Sequence, residues 1–427
     1  MIHGDSNAPQ SAPKSTRLAH KMDDDKKAAQ SQDVVGSEKP PSKGNASQES
    51  PLLSPGLTLL NEVRYPDEDP MVARVNDDLD LWAVGYSTGV VRISPSAEDC
   101  HLSALAIHPA DECQPVTDLS FCPNSKLLAT YASGFLRLWM YSVDAGASLV
   151  GQVLETDDSA HGFRPSATNS ILALAVSVDG QRCVTAGADC VCRVYDARSL
   201  RQVNACKAKA SESSINGHKM RVCAVRYHPL GASRTEYEHV FVSAGWDDVI
   251  MIWDDRCSTA LFQYFGPHVC ANDALDIHPS TNFILAGSWS RDKELVSVFL
   301  FNHTVVATSN TNRAELQVDR PIYQMGHKAV CPPAMAYVAK WLDADTILVA
   351  GGNSNVLCVV SKAKMTLNAS IQQLPGAVFS VAVSSGRMRR KERGRRSKVK
   401  EYRLAVCSAN SLLFVRMEGK TARGGTA

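Results

Sequence analysis

No stretch of the 427-residue sequence comes near the 18 or so apolar residues that cross a bilayer as a helix; the best runs, Ile171 to Val178 and Leu295 to Phe301, are short. Charge of one sign is also missing in bulk, because 45 Lys and Arg face 44 Asp and Glu, a formal balance of +1. That excludes a surface built throughout for nucleic acid or acidic membranes, while leaving room for a local basic patch. The opening residues MIHGDSNAPQ hold no basic segment followed by an apolar one, so secretion is not expected. The 13 cysteines are odd in number and scattered through apolar stretches instead of framing short polar loops. Reduced, buried thiols in the cytoplasm, the nucleus or both are the expectation.

The first 56 residues lack something else: they hold no aromatic residue and no cysteine, but nine Ser, six Pro, seven basic and seven acidic residues. Such a segment cannot bury enough apolar surface to offset its chain entropy, so residues 1–56 are expected to be a disordered tail. All 28 aromatic residues fall in the remaining 371. Ser50-Pro51 and Ser54-Pro55 stand at the junction, either as sites for proline-directed phosphorylation or as an unmodified linker. Residues 419–427 are expected to be a flexible C-terminus.

Between them, helical periodicity is nearly absent and one pattern recurs: an apolar alternating strand, a polar turn, a second strand ending in small residues, a tight turn and a third apolar strand. Seven copies are visible, within Leu79 to Ser94, Val116 to Tyr141, Ile171 to Arg198, Ile215 to Arg256, Asp273 to Phe301, Ala336 to Val360 and Ala377 to Met417. Their strands of 5 to 8 residues predict an all-β ring of short antiparallel sheets. At about 53 residues per copy several connections must be long, with insertions expected around Asp144 to Ala167, Ala205 to Asn216, Asn302 to Pro332 and Gly386 to Lys400. The last copy runs out of chain after its third strand. The apolar segment Leu57 to Val63 is the candidate to complete it and remove an open edge.

The central copy carries Gly217-His218 before its first strand, Ser243 in the second, Asp247 in the tight turn and Trp253-Asp254 at the end of the third. This set resembles the WD-repeat family of β-propellers, and the resemblance spans about Leu57 to Met417. It implies a seven-bladed β-propeller over residues 57–418. It also implies a structural network of His218, Ser243, Asp247 and Trp253, in which indole N–H, hydroxyl and imidazole satisfy one another. Elsewhere the motif decays: Trp139 lacks the following Asp, Tyr195-Asp196 replaces Trp-Asp, Phe299 and Val360 replace Trp, and only Gly326-His327 repeats the Gly-His pair.

Other motifs have plainer readings. Gly85 to Gly89 (GYSTG) fits the pattern of a hydrolase nucleophile elbow but lies between two strands, where the elbow needs a strand followed by a helix. Cys190 and Cys192 have no second pair at zinc spacing, so core thiols are expected. His108-Pro109, His228-Pro229 and His278-Pro279 recur at strand ends as a turn device. No catalytic residue, cofactor or metal ligand is assigned. The run Arg387 to Lys400 holds nine basic residues and one acid. Arg389, Arg390, Lys391, Arg395 and Arg396 are its candidate contact residues. A solvated loop, an import signal, an acidic partner and a phosphate-driven nucleic-acid contact all remain open, with import ranked above nucleic acid.

WDDR, Trp253 to Arg256, and YDAR, Tyr195 to Arg198, look like the signature by which WD-repeat substrate receptors dock onto the propeller adaptor of cullin-RING ubiquitin ligases. The resemblance makes Asp196, Arg198, Asp254 and Arg256 the candidate adaptor contacts, while an Arg paired with a nearby carboxylate is the plainer reading. The expected function is a non-enzymatic scaffold for protein partners, a monomeric ring within a larger complex. The alternative is a ubiquitin-ligase substrate receptor. Neither nucleic acid nor a membrane is the expected partner.

Overall fold

The computed structural model describes residues 50–95, 105–109, 114–142, 145–157, 168–208, 216–302, 320–326, 335–392 and 395–419, with backbone alone for 387–399. The expectations for residues 1–49, for His327 and for residues 420–427 lie outside the described residues. Seven antiparallel sheets, six of four strands and one of five, make a seven-bladed propeller. Blade 1 comprises Pro70–Asn76, Leu81–Tyr86, Val91–Ser94 and Leu105–Ile107; blade 2, Val116–Cys122, Lys126–Tyr131, Phe135–Ser142 and Gly146–Leu154. Blade 3 comprises Ile171–Val176, Arg182–Gly187, Cys192–Asp196 and Gln202–Cys206; blade 4, Val222–Tyr227, Val240–Gly245, Val249–Asp254 and Phe262–Phe265. Blade 5 comprises Leu275–His278, Phe283–Gly287, Val296–Leu300 and Tyr323–Met325; blade 6, Met335–Trp341, Thr346–Gly352, Leu357–Ser361 and Thr366–Gln372. Blade 7 takes Val378–Glu392, Arg395–Ser408 and Ser411–Glu418 from the C-terminal region and Leu57–Val63 from the other end of the chain. No helix among the described residues is long and apolar enough to cross a membrane.

The blades stack face to face, so the apolar material is divided among the interfaces instead of forming one core. One buried cluster fills each gap, for example Val194, Phe241 and Trp253 between blades 3 and 4, or Trp82, Cys407 and Phe414 between blades 7 and 1. Second strands are covered on both sides, which is why Leu81–Tyr86 and Val240–Gly245 are buried at every position. The first strands of successive blades pack against one another around the centre, blade 7 against blade 1 included.

Leu57–Val63 pairs antiparallel with Ser411–Glu418 from Leu57 opposite Met417 to Val63 opposite Leu412. The closing strand expected from the sequence is thus the fourth strand of blade 7. The structure adds a second strap inside the stretch assigned to the tail: Leu52–Leu53 pairs with Ile371 and Gln372 at the edge of blade 6. There Ser54 donates its N–H to Ser370 O at 3.0 Å, and its Oγ accepts from Ser370 N at 2.9 Å.

Two expectations need correction. The repeats have four strands, not three, and outer strands occupy parts of the supposed insertions: Gly146–Leu154, Gln202–Cys206 and Tyr323–Met325. These strands face solvent on one side, and their mixed polar sequences hide the alternation. The segment Gly386 to Lys400 is not an inserted loop either. The first two strands of blade 7 continue past the blade as a paired ribbon, from Gly386 opposite Glu401 to Glu392 opposite Arg395.

Ser87 of GYSTG lies in a strand-to-strand turn, where its Oγ accepts from Asp69 N at 3.0 Å. His228 and His278 act as turn devices: Nδ1 of each accepts a backbone N–H, from Leu230 at 3.3 Å and from Thr281 at 3.2 Å. That bond needs a neutral ring, and burial pushes His228 down to about 4.

Deleting residues 1–49 is expected to leave the thermal midpoint within about 1–2 °C of the full chain. Extending the deletion through Val63 should lower it by about 10 °C or more, since buried Leu57 and Val63 and a whole ladder are lost. Equal midpoints in calorimetry would refute closure by this strand.

Candidate functional site

Two faces are defined by the strand connections. Turns from second to third strand and the connections between blades lie on one face. Turns from first to second strand and the exits from third strands lie on the other. Around the centre the first strands bring charged residues together. Arg74 of blade 1 donates to Asp118 Oδ1 of blade 2 at 2.5 Å and stands 3.0 Å from Asp273 Oδ1, beside blade 5. Asp273 also receives Arg226 of blade 4 at 3.2 Å, Lys340 of blade 6 at 3.0 Å, and Ser380 Oγ and Val381 N of blade 7. Asp118 accepts Leu174 N of blade 3 at 3.0 Å and the Asn272 amide.

Burial pushes the Asp273 carboxyl up, but Arg74, Lys340 and Arg226 together hold it far below the carboxylate range. Burial lowers Lys340 and Arg226, and it raises nearby Asp276. A cavity of about 320 Å³ opens beside this cluster, lined by Arg74, Asp276, Lys340, Ser385 and Tyr402 among others. Sequence reasoning missed the cluster. Its signal is the charged residue near the end of several first strands, as in PMVARVN, VCAVRY and MAYVAKW.

The four residues of the blade 4 network meet. Trp253 Nε1 donates to Ser243 Oγ at 2.7 Å, and Ser243 Oγ lies 2.6 Å from His218 Nε2. His218 Nδ1 stands 2.9 Å from Asp247 Oδ2, which also accepts Lys219 N at 3.0 Å. Burial works against the Asp247 charge, yet the His218 contact leaves its pKa lowered. Strand register places Thr185, Asp189 and Tyr195 of blade 3 at the positions of Ser243, Asp247 and Trp253. Glu155 there takes the imidazole's place: it accepts from Thr185 Oγ1, from Tyr195 Oη at 2.9 Å and from Asn169 Nδ2 at 2.8 Å. In blade 2 the hydroxyl position is Ala129, and the Trp139 indole N–H has no hydrogen-bond partner among the described residues.

Arg198 and Arg256 are exposed at the exits of the third strands of blades 3 and 4. Asp196 and Asp254 form the turns there. Asp196 Oδ1 accepts from Arg198 N at 3.2 Å and Ser199 N at 2.9 Å, while Asp254 Oδ1 accepts from Arg256 N at 2.9 Å. The Arg256 guanidinium folds back on Asp254 at 2.8 and 2.6 Å. The basic residues Arg389, Arg390, Lys391, Arg395 and Arg396 belong to the blade 7 ribbon, on the same face of the ring. Among the described residues no group of His, Cys, Asp and Glu is arranged to hold a metal ion.

On the opposite face an aromatic arc crosses blades 4 to 7. Arg221 lies over Trp246 at 4.2 Å; Trp246 lies 5.8 Å from His268, which lies 6.5 Å from Trp289. Trp289 Nε1 donates to Tyr337 Oη at 2.9 Å, and Tyr337 lies 6.1 Å from Phe379. All five rings are half-buried and Arg221 is exposed. Sequence reasoning missed this arc as well. Trp246 and Trp289 sit just after the second strands of consecutive blades, in turns where other copies carry small residues.

Comparison with known proteins agrees with this geometry. The WD domain, G-beta repeat family matches residues 100–140, 159–196 and 209–254, which take in the first two strands and most or all of the third strand of blades 2, 3 and 4. No curated protein matches significantly. Among solved structures, a chain of the crystal structure of a mitotic checkpoint complex aligns with a TM-score of 0.58 and 16% identity, over 84% of this chain and 94% of that one. As 1394 chains match significantly, the likeness establishes the fold and nothing narrower.

Trp253→Ala should destabilise the protein by about 3–5 kcal/mol, because a fully buried indole is lost and Ser243 is left short of a donor. A denaturant midpoint equal to wild type would refute the network. Asp273→Asn should cost about 3–5 kcal/mol, leaving three cations without their shared charge. The depressed carboxyl of Asp273 stabilises the fold above its unfolded value of about 3.9, and that contribution is lost as pH falls below it. The acid limb of the wild-type stability curve should therefore flatten in the Asn variant.

Proposed function

The chain belongs to the WD-repeat family, and from that premise we propose that it serves as a non-enzymatic platform for protein partners, engaged through the aromatic arc of blades 4 to 7. WD-repeat propellers generally bind proteins, and the structural neighbour is part of a multi-protein complex. The arc is the observation that carries the reading. Trp, Tyr and Arg are the residue types that dominate binding energy at interfaces, and here the rings are half-buried against one another with Arg221 laid over Trp246, so little ordering remains to be done on binding. Ser243, His218 and Asp247 of blade 4 have the connectivity of a nucleophile, a base and its orienter, but Ser243 is fully buried and its oxygen is held by the Trp253 indole, so this set supports packing of the blade. Affinity purification with mass spectrometry should recover a set of proteins that Trp246→Ala with Trp289→Ala loses at unchanged thermal midpoint. Equal recovery by wild type and double variant would refute the assignment of this face.

The second reading is the ligase substrate receptor. It draws on two exposed arginines at equivalent positions of consecutive blades, on the face opposite the arc. Its weakness is that Asp196 and Asp254 already have a local role as turn formers, and Asp254 holds Arg256. Docking would require Arg256 to exchange this exposed pair for a partner's acceptors, a small cost. Arg198→Ala with Arg256→Ala should then abolish co-purification of the adaptor while leaving the arc-dependent set in place. Absence of the adaptor from the wild-type purification would dismiss this reading alone.

A further inference from the structure

The blade 7 ribbon segregates its charge. Residues directly opposite each other in an antiparallel pair share a face, and the face alternates along each strand. The register pairs Arg387 with Lys400, Arg389 with Lys398 and Lys391 with Arg396, without a bulge between them. These six basic residues therefore belong to one face of the ribbon. Met388 with Val399, Arg390 with Ser397 and Glu392 with Arg395 belong to the other. An unstructured loop of the same composition would have no such sidedness.

The third strand of blade 7 pairs only as far as Glu401 opposite Glu418, so this portion is two strands wide. Six residues per strand carry it about 20 Å beyond the blade. The rest of the chain has the opposite charge: without this run's nine basic residues and one acid, 36 basic residues face 43 acidic ones.

We propose that the ribbon is a docking element for duplex nucleic acid, held through its phosphates by the face of Arg387, Arg389, Lys391, Arg396, Lys398 and Lys400. Three observations select this occupant. The cationic face contains no apolar or aromatic residue, so it lacks the anchor that a folded protein partner would need and the stacking platform that single strands use. A two-stranded ribbon has the width that the major groove of a duplex admits. The acidic remainder of the molecule disfavours a broad anionic plane such as a lipid surface, whereas a projecting ribbon reaches a narrow rod while keeping that remainder at a distance. Base edges are not read, so binding is independent of sequence and dependent on salt.

The test uses the full chain and a fluorescein-labelled 20-base-pair DNA duplex of arbitrary sequence, followed by anisotropy between 50 and 200 mM NaCl. Four phosphate contacts predict a loss of affinity of about 100-fold over that range. Arg389→Ser with Lys391→Ser and Lys398→Ser, all on the cationic face, should weaken binding at 50 mM salt by more than about 10-fold and flatten the salt slope by about 3. Arg390→Ser with Arg395→Ser removes charge from the other face and should stay within about 3-fold of wild type. Thermal midpoints of both variants should match the wild type, since the ribbon lies outside the blades.

No binding of the duplex at 50 mM salt would overturn the proposal, as would equal weakening per charge removed from either face. Tighter capture by poly-glutamate, or by vesicles containing 30 mol% phosphatidylserine, than by the duplex would also overturn it and assign the face to an acidic protein or a membrane. None of these outcomes bears on the aromatic arc, whose partners are read separately.

Discussion

The carboxylate of Asp273 lies where the first strands of the blades converge, and it takes up charges or donors from blades 1, 4, 6 and 7 from its own place at the entry to blade 5. Asp118 extends the same network through blades 1, 2, 3 and 5. Between them the two acids touch every blade. The apolar clusters in the gaps between blades are non-directional and similar to one another, so packing alone distinguishes poorly between neighbours. Ion pairs with fixed partners do distinguish. An arrangement with a blade missing or displaced would strand a cation or a carboxylate in a buried centre, at a cost far above the worth of a surface pair.

The motif that identifies the fold is a particular solution to a general requirement. In blade 4 a buried indole N–H and a hydroxyl are satisfied through an imidazole that an Asp orients. In blade 3 a phenol and a hydroxyl reach the same end through Glu155. What persists is the pairing of buried polar groups, not the residue types that do it. Where the hydroxyl becomes Ala129, the Trp139 ring still fills its gap as a hydrophobic body, and the motif survives as packing alone.

This explains what could be read in advance. First, second and third strands lie against neighbours or under other strands, so their alternation is written in apolar residues such as those of Leu275–His278 and Val249–Asp254. Outer strands answer to solvent, and Gly146–Leu154 is nowhere fully buried, so nothing in its pattern separated it from a connection. The His218 network was legible because its residue types and spacing occur together. The central charges and the aromatic arc were not. Each blade contributes a residue or two, unremarkable in its own repeat, and only the ring brings them together. Likewise the basic run was conspicuous in composition, but its division into two faces depends on a register no composition contains.

The pairing of Leu57 with Met417 also sets the order in which the molecule can be made. Three hundred and sixty residues separate the two halves of the closing sheet, about 20–70 s of synthesis at 5–20 residues per second. Throughout that time the first blade has a bare flank and the segment meant to seal the ring has nothing to seal. Such contacts are among the slowest a chain can form, and the exposed edge invites pairing with the wrong strand. That edge stays open until Ser411–Glu418 has left the ribosome. A protein cut short by a few residues there would be a ring that never shuts rather than a slightly smaller one.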